Sequence, residues 1–261
     1  MTSNNLPLEN KVAIVTGGSR GIGAGIAETL ASRGAKVAIT YTSESSKEST
    51  QKLVNKIKGF GTSADAISIQ ADLRDLASAE HIVDTTVKAF GPTIHILVNN
   101  AGCAKSGALG TLKLDDYNHI FDVNVRAVLF MSEAVVGHLP KKEKDGSGGR
   151  IINIGSIAGR IGVARNSIYS ASKAAIEGFT RCWASELGPQ GHTVNQVNPG
   201  AVDTDMLKGF DGREALIKMT PFENRVGLPS DIAEVVSFLA EDRSRWITGQ
   251  TISASGGLQM Y

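Results

Sequence analysis

The sequence predicts an α/β fold: a single doubly wound domain, with a parallel β-sheet flanked by helices on both faces. Short β-rich runs alternate with longer amphipathic segments, and several runs are apolar on both sides, as strands buried between two helical layers are. A glycine-rich turn also joins the first run to the following helix. The runs span residues 12–16, 36–41, 66–71, 95–100, 150–155 and 192–197, and GQTISASGG supplies a final strand. The intervening lengths suit right-handed helical crossovers. No fixed-period repeat or Pro/Gly/Ser linker divides the chain, so residues 1–261 are read as one domain. Residues 140–150 mix charge with glycine and read as a solvated loop. Residues 204–225, apolar side chains among breakers, read as a substrate flap.

Composition narrows the function. Formal charge is +1, from 27 basic and 26 acidic residues, which gives no electrostatic footprint for nucleic acid. Cys103 and Cys182 lie far apart without metal-ligand neighbours and are expected as free thiols of a reducing compartment. The start MTSNNLPLENK has no signal-peptide pattern, and no apolar stretch approaches the roughly 20 residues that cross a bilayer. A cytoplasmic protein without a membrane partner is expected. The histidines, at 81, 95, 119, 138 and 192, form no pair with metal spacing and read as surface or loop residues; no metal site is expected. Asp115 and Asp116 are adjacent and do not share a helix face, so a glycosidase-like acid/base pair is not indicated. Ser156 lacks the G-x-S-x-G elbow of a hydrolytic nucleophile.

The chemistry begins at VAIVTGGSRGIG. Gly17, Gly21 and Gly23, with Ser19, Arg20 and Ile22 between them, lie between a strand and a helix start. Such a turn lets backbone approach a pyrophosphate, and the helix N-terminus offers it free N–H groups. The spacing is T-G-x-x-x-G-x-G from Thr16 to Gly23. Further along come NNAG at 99–102, Asn124 in DVNV, Ser156 after the fifth run, Tyr169-x-x-x-Lys173, and NPG at 198–200.

With these motifs, in this order over essentially the whole chain, the sequence resembles the short-chain dehydrogenase/reductase family, whose fold is Rossmann-like. Its 3-oxoacyl-carrier-protein reductases and fungal naphthol and polyketide reductases are both similar to it. The resemblance implies an NADPH-dependent ketoreductase, assembled as a homotetramer and acting on a small-molecule carbonyl substrate. It also implies that Asp72 and Leu73 meet the adenine and that Asn99, Ala101 and Gly102 lie beside the adenosine ribose. Pro199, Gly200, Val202 and Thr204 match the segment that holds the nicotinamide carboxamide. One departure is Ser255, where relatives often place an acid before Gly-Gly.

The cofactor choice also has a physical argument. An NAD site usually presents a carboxylate at the end of the second strand. Here that strand ends in Thr40, Tyr41, Thr42 and Ser43, with no acid before Glu44, while Arg20 could pair with a 2′-phosphate. Both features point to NADPH/NADP+.

Carbonyl reduction needs a hydride donor and a proton for the oxygen. Tyr169 can give the proton and Ser156 a hydrogen bond to the same oxygen. An ordinary tyrosine, with a pKa of about 10, is a reluctant donor; a cation one helical turn on, Lys173, is expected to lower that value. By resemblance Lys173 also binds the nicotinamide ribose, and Asn124 holds a water that reconnects the lysine to solvent. Ile161, Val163, Met206, Leu207 and Phe210 would suit an acyl or aromatic group. The rivals are oxidation of a steroid or sugar-type secondary alcohol and a non-catalytic cofactor-binding scaffold, though the latter should have lost Ser156, Tyr169 or Lys173, and none is lost.

Overall fold

The computed structural model describes residues 6–142, 148–208 and 212–261. Its strands are β1 (Val12–Val15), β2 (Lys36–Tyr41), β3 (Asp65–Gln70), β4 (Ile96–Asn99), β5 (Arg150–Ile154), β6 (Thr193–Pro199) and β7 (Thr251–Ala254). They form one seven-stranded sheet in the order β3-β2-β1-β4-β5-β6-β7, every neighbouring pair parallel. The helices are α1 (Gly21–Ser32), α2 (Lys47–Lys58), α3 (Ser78–Phe90), α4 (Leu114–Phe121), α5 (Ala127–Val136), α6 (Ser167–Leu187), α7 (Arg213–Met219) and α8 (Pro229–Ala240).

β1 explains why both faces must be covered. All its residues are buried, and alternate side chains enter different cores: Ala13 and Val15 join Ile26 and Leu30 of α1 and Val236 of α8, whereas Ile14 joins Ile82 of α3 and Val135 of α5. A strand's side chains point to opposite faces in turn, so a continuous apolar run needs a helical layer on each side. Each fully buried Ile or Leu contributes about 1.5–3 kcal/mol.

Two departures from the sequence reading matter. β6 runs on through Asn198 and Pro199, paired with Ser253 and Ala254 of β7, so the NPG segment is the strand's own end rather than a turn after it. Two histidines are structural rather than surface decoration. His95 Nδ1 accepts from Val12 N (3.1 Å) and His192 Nδ1 from Gly149 N (2.8 Å). Of the loop at 140–150, residues 143–147 lie outside the described residues, as do 209–211 of the flap, and with them Phe210.

Candidate active site

The strand order reverses between β1 and β4, where ligands of open α/β sheets bind beyond the carboxyl ends of the strands. The glycine-rich turn after β1 and the NNAG segment after β4 meet there. Thr16 Oγ1 accepts from the backbone N–H of Asn100 (3.0 Å) and Ala101 (3.1 Å). The Asn100 amide donates to the carbonyls of Thr16 (2.8 Å) and Gly17 (3.1 Å), and Gly17 N donates to Thr40 Oγ1 (3.0 Å). Asn100, Thr16 and Thr40 thus brace the turn, which the motifs alone did not reveal; the doubled asparagine was the available signal.

The turn needs glycine for two reasons. Gly17 and Gly21 are left-handed (φ +62° and +54°), and a Cβ on Gly23 would overlap Gly17 O and the Asn100 amide. Arg20 is the N-cap of α1, where no side chain makes a capping bond and no acidic residue occupies the first turn. An uncapped helix N-terminus behind a glycine cradle fits the pyrophosphate of a dinucleotide. Ser19 and Ile22 lie in the same turn, Ile22 with its side chain against the core. Thr204 closes the other side, its Cγ2 lying 3.1 Å from where a Cβ on Gly21 would be. Buried Val202 bridges to Gly227, which fixes the path from Pro199 and Gly200 to Thr204.

Other positions behave differently. Tyr41 is buried, and Thr42 and Ser43 are exposed. Ser43 Oγ lies 2.8 and 3.1 Å from the hydroxyls of Ser45 and Ser46, while Glu44 is taken up by Lys47 (2.8 Å). Arg20 is exposed and pairs with a carboxylate, Asp205, 3.8 Å away. Asp72 is bonded through both carboxylate oxygens to Arg74, which holds it below the usual carboxylate range, and Leu73 packs against the core shared with α3 and α5. The Asn99 side chain faces inward, donating to Ser132 Oγ (3.1 Å) and Asn153 Oδ1 (2.9 Å), so it is a core strut rather than a group lining the groove. Ala101 and Gly102 do line up with the turn and the polar centre. Ala101 touches Gly17, and a Cβ on Gly102 would lie 3.3 Å from Lys173 Nζ and 3.4 Å from Asn124 Oδ1.

The structure brings Asn124, Ser156, Tyr169 and Lys173 together. Ser156 follows β5 and accepts a capping bond from Ala158 N (3.1 Å), and its hydroxyl acts on the Tyr169 phenol, favouring its ionised form. Tyr169 and Lys173 lie in the first two turns of α6. Lys173 Nζ donates to Ile154 O (2.9 Å) at the end of β5 and lies 5.9 Å from the Tyr169 ring centroid. Asn124 is fully buried in a π-helical turn, Asp122–Arg126, between α4 and α5. That wider turn points its amide at Cys103, accepting from Cys103 N (2.9 Å) and donating to Cys103 O (2.9 Å) and Ser172 Oγ (3.0 Å). Ser172 Oγ in turn donates to Tyr169 O (2.7 Å), a link the sequence reading missed.

The electrostatics differ from expectation. Burial raises the Tyr169 phenol above its ordinary value, with the Ser156 hydrogen bond opposing, and burial pushes Lys173 down to about 8. The expected lowering of Tyr169 by Lys173 is not found: desolvation sets an upward shift, and the ammonium's bond goes to a backbone carbonyl rather than to the phenol. Among the described residues no His/Cys/Asp/Glu cluster could hold a metal, and no helix is long and apolar enough to cross a membrane.

A nucleotide cradle at the switch point, with a Ser-Tyr-Lys group beyond β5, defines a dinucleotide-dependent oxidoreductase. The chain belongs to the short-chain dehydrogenase/reductase family, and residues 17–259 match the family model described as enoyl-(acyl carrier protein) reductase. It is 48% identical over 230 residues to dehydrogenase OXI1 of Cochliobolus heterostrophus, covering 85% of this chain and 97% of that protein. It is 40% identical to hydroxynaphthalene reductase arp2 of Aspergillus fumigatus, covering 97% and 93% respectively. A solved short-chain dehydrogenase from Burkholderia cenocepacia, in complex with NADP, superposes with a TM-score of 0.88 at 43% identity, covering 97% of this chain and 99% of that one.

Proposed function

We propose that the protein reduces a ketone to a secondary alcohol with NADPH, the ketone being an acyl thioester or an aromatic polyketide or naphthol-type compound. The observation that carries this reading is the grouping of Ser156 at the end of β5 with Tyr169 and, one helical turn on in α6, the buried ammonium of Lys173, 5.9 Å from the Tyr169 ring centroid. Support for NADPH comes from the acid-free end of β2, the hydroxyls of Ser43, Ser45 and Ser46 there, the exposed Arg20, and the NADP held by the Burkholderia relative. When bound, that cofactor supplies the hydride.

The chain's own residues do the rest. Ser156 orients the carbonyl oxygen by hydrogen bonding, and Tyr169 gives that oxygen its proton as negative charge develops. Burial keeps Tyr169 protonated at rest, the form that reduction requires. The Lys173 ammonium, anchored on Ile154 O and 5.9 Å from the Tyr169 ring centroid, is the positive charge beside the phenol as it gives up its proton, and Asn124, bonded on both sides to Cys103, fixes the floor through which a proton returns. Half-exposed Phe130 and Val136 on α5 and the Phe179–Trp183 stack on α6 support association into a homotetramer, which light scattering would test.

The test is NADPH and NADH consumption with a 3-oxoacyl thioester, a polyhydroxynaphthalene, a steroid ketone and a simple quinone. NADPH should be preferred, with the first two substrates reduced fastest. Tyr169→Phe should still bind NADPH and lose on the order of 10²–10⁴ in turnover. Preference for NADH would overturn the cofactor reading, and a fully active Tyr169→Phe would sink the mechanism.

A further inference from the structure

The segment after β7 folds back over the carboxyl edge of the sheet. Gly256 and Gly257, both left-handed (φ +61° and +82°), make the reversal. Ser253 Oγ (2.7 Å) and Ser255 Oγ (3.1 Å) donate to Gln259 O, and Gln259 N donates to Ser255 Oγ (3.2 Å). Ser255, where family members often carry an acid, is thus used within the chain to close this turn.

The turn delivers Tyr261 to a ring of four side chains. Its hydroxyl accepts from Asn198 Nδ2 (2.8 Å), and its ring lies 4.2 Å from the Arg160 guanidinium carbon. Arg160 Nε donates to both carboxylate oxygens of Glu177 (2.9 Å each), and Asn198 Nδ2 reaches the same carboxylate at 3.2 Å. Gln196 Nε2 donates to Asn198 Oδ1 (2.7 Å) and fixes the orientation of that amide. Glu177 is buried and is also approached by Arg181 (3.8 Å), and the Arg160 guanidinium is held between its carboxylate and an aromatic face.

Each member of the ring is tied to the reacting group. Arg160 is four residues beyond Ser156, at the end of the short turn that Ser156 caps. Glu177 is one helical turn beyond Lys173 on the same face of α6. Asn198 packs so closely on Gly155, the residue before Ser156, that no Cβ could be added there.

We propose that Tyr261 is a positioning residue for the reduction: by holding Arg160 against Glu177 it locks the Ser156 loop to the helix that carries Tyr169 and Lys173. This rests on the catalytic reading of Ser156, Tyr169 and Lys173 above.

The test compares Tyr261→Leu, which removes the aromatic face and the hydroxyl, with Tyr261→Phe, which keeps the face. In Tyr261→Leu, amide hydrogen exchange across residues 155–161 should accelerate at least about 10-fold while α2 is unchanged. With acetoacetyl thioester or a polyhydroxynaphthalene as probe ketone, kcat should fall about 10-fold while KM and NADPH affinity move less than about 3-fold. Tyr261→Phe should restore slow exchange and at least about half of kcat. Arg160→Gln should reproduce the Leu phenotype, and the double variant should be no worse than the poorer single one. Unchanged exchange at 155–161, an unchanged kcat in Tyr261→Leu, a Phe variant as impaired as Leu, or additive losses would each overturn the proposal. The exchange arm needs no ketone, so a wild-type protein that reduces neither probe would count against the functional reading and leave the loop test to be decided by exchange.

Discussion

Tyr169 and Lys173 share a helix face, yet their acidities are governed by burial rather than by each other. Lys173, pushed down to about 8, is charged at neutral pH and loses its proton as pH rises through that value, while Tyr169 stays protonated beyond it. Both proposed groups therefore have the forms needed for reduction below about 8. We expect kcat for reduction to be level near neutrality and to fall as pH passes about 8; a pH–rate profile that climbs through this range would contradict the assignment. At Gly23 the constraint is steric. Gly23→Ala pushes a methyl into Gly17 O and the Asn100 amide and should cost about 1–3 kcal/mol in denaturant titrations, with NADPH affinity falling as the cradle shifts. The motif residues were readable from sequence because glycine, serine, tyrosine and lysine at these spacings have few other reasons to coincide. Asn99 and Asn100 show the limit: which of two adjacent amides faces the turn depends on strand phase, and the structure gives that role to Asn100.

The π-helical turn Asp122–Arg126 is the element that sets the polar floor of the site. An α-helical turn would carry Asn124 at a different angle, away from the paired bonds to Cys103 N and O. Asn124→Leu leaves both backbone groups and Ser172 Oγ short of a buried partner, each costing about 1–3 kcal/mol. Urea unfolding should show a loss of at least about 2 kcal/mol together with reduced turnover; a variant of wild-type stability would mean the turn holds without its amide. The sequence does not mark this turn, because one extra residue in a helical turn leaves no mark in an apolar pattern. The boundaries of β2 were legible because turn residues flank them, whereas the extension of β6 through Pro199 was not, since proline normally ends a strand. Here it lies at the final rung, where its missing N–H costs no ladder bond and Gly200 N donates to Ala254 O instead.

Across the whole molecule, the joint between β1 and β4 carries both the nucleotide cradle and an acid-sensitive contact. His95 Nδ1 must be unprotonated to accept from Val12 N, and burial holds the His95 pKa down to about 4. The unfolded chain, with an ordinary histidine value near 6.5, takes up that proton first, so stability from this residue is complete above about 6.5 and is lost as pH falls toward 4. Urea midpoints should drop over that window, and His95→Gln, whose side-chain oxygen can accept the same bond, should flatten the slope; an equal slope in the variant would assign the acid sensitivity elsewhere. The sequence by itself determined the parallel doubly wound sheet, the cradle after β1 and the identity of the proposed reacting residues, because alternating apolar runs and motif spacing are local properties of the chain. Only the tertiary structure decided which asparagine braces the turn, that desolvation rather than the lysine sets the shift of Tyr169, and that Tyr261 returns to Arg160 and Asn198. Those outcomes depend on burial and on contacts between residues 63 to 101 positions apart, which no local pattern encodes.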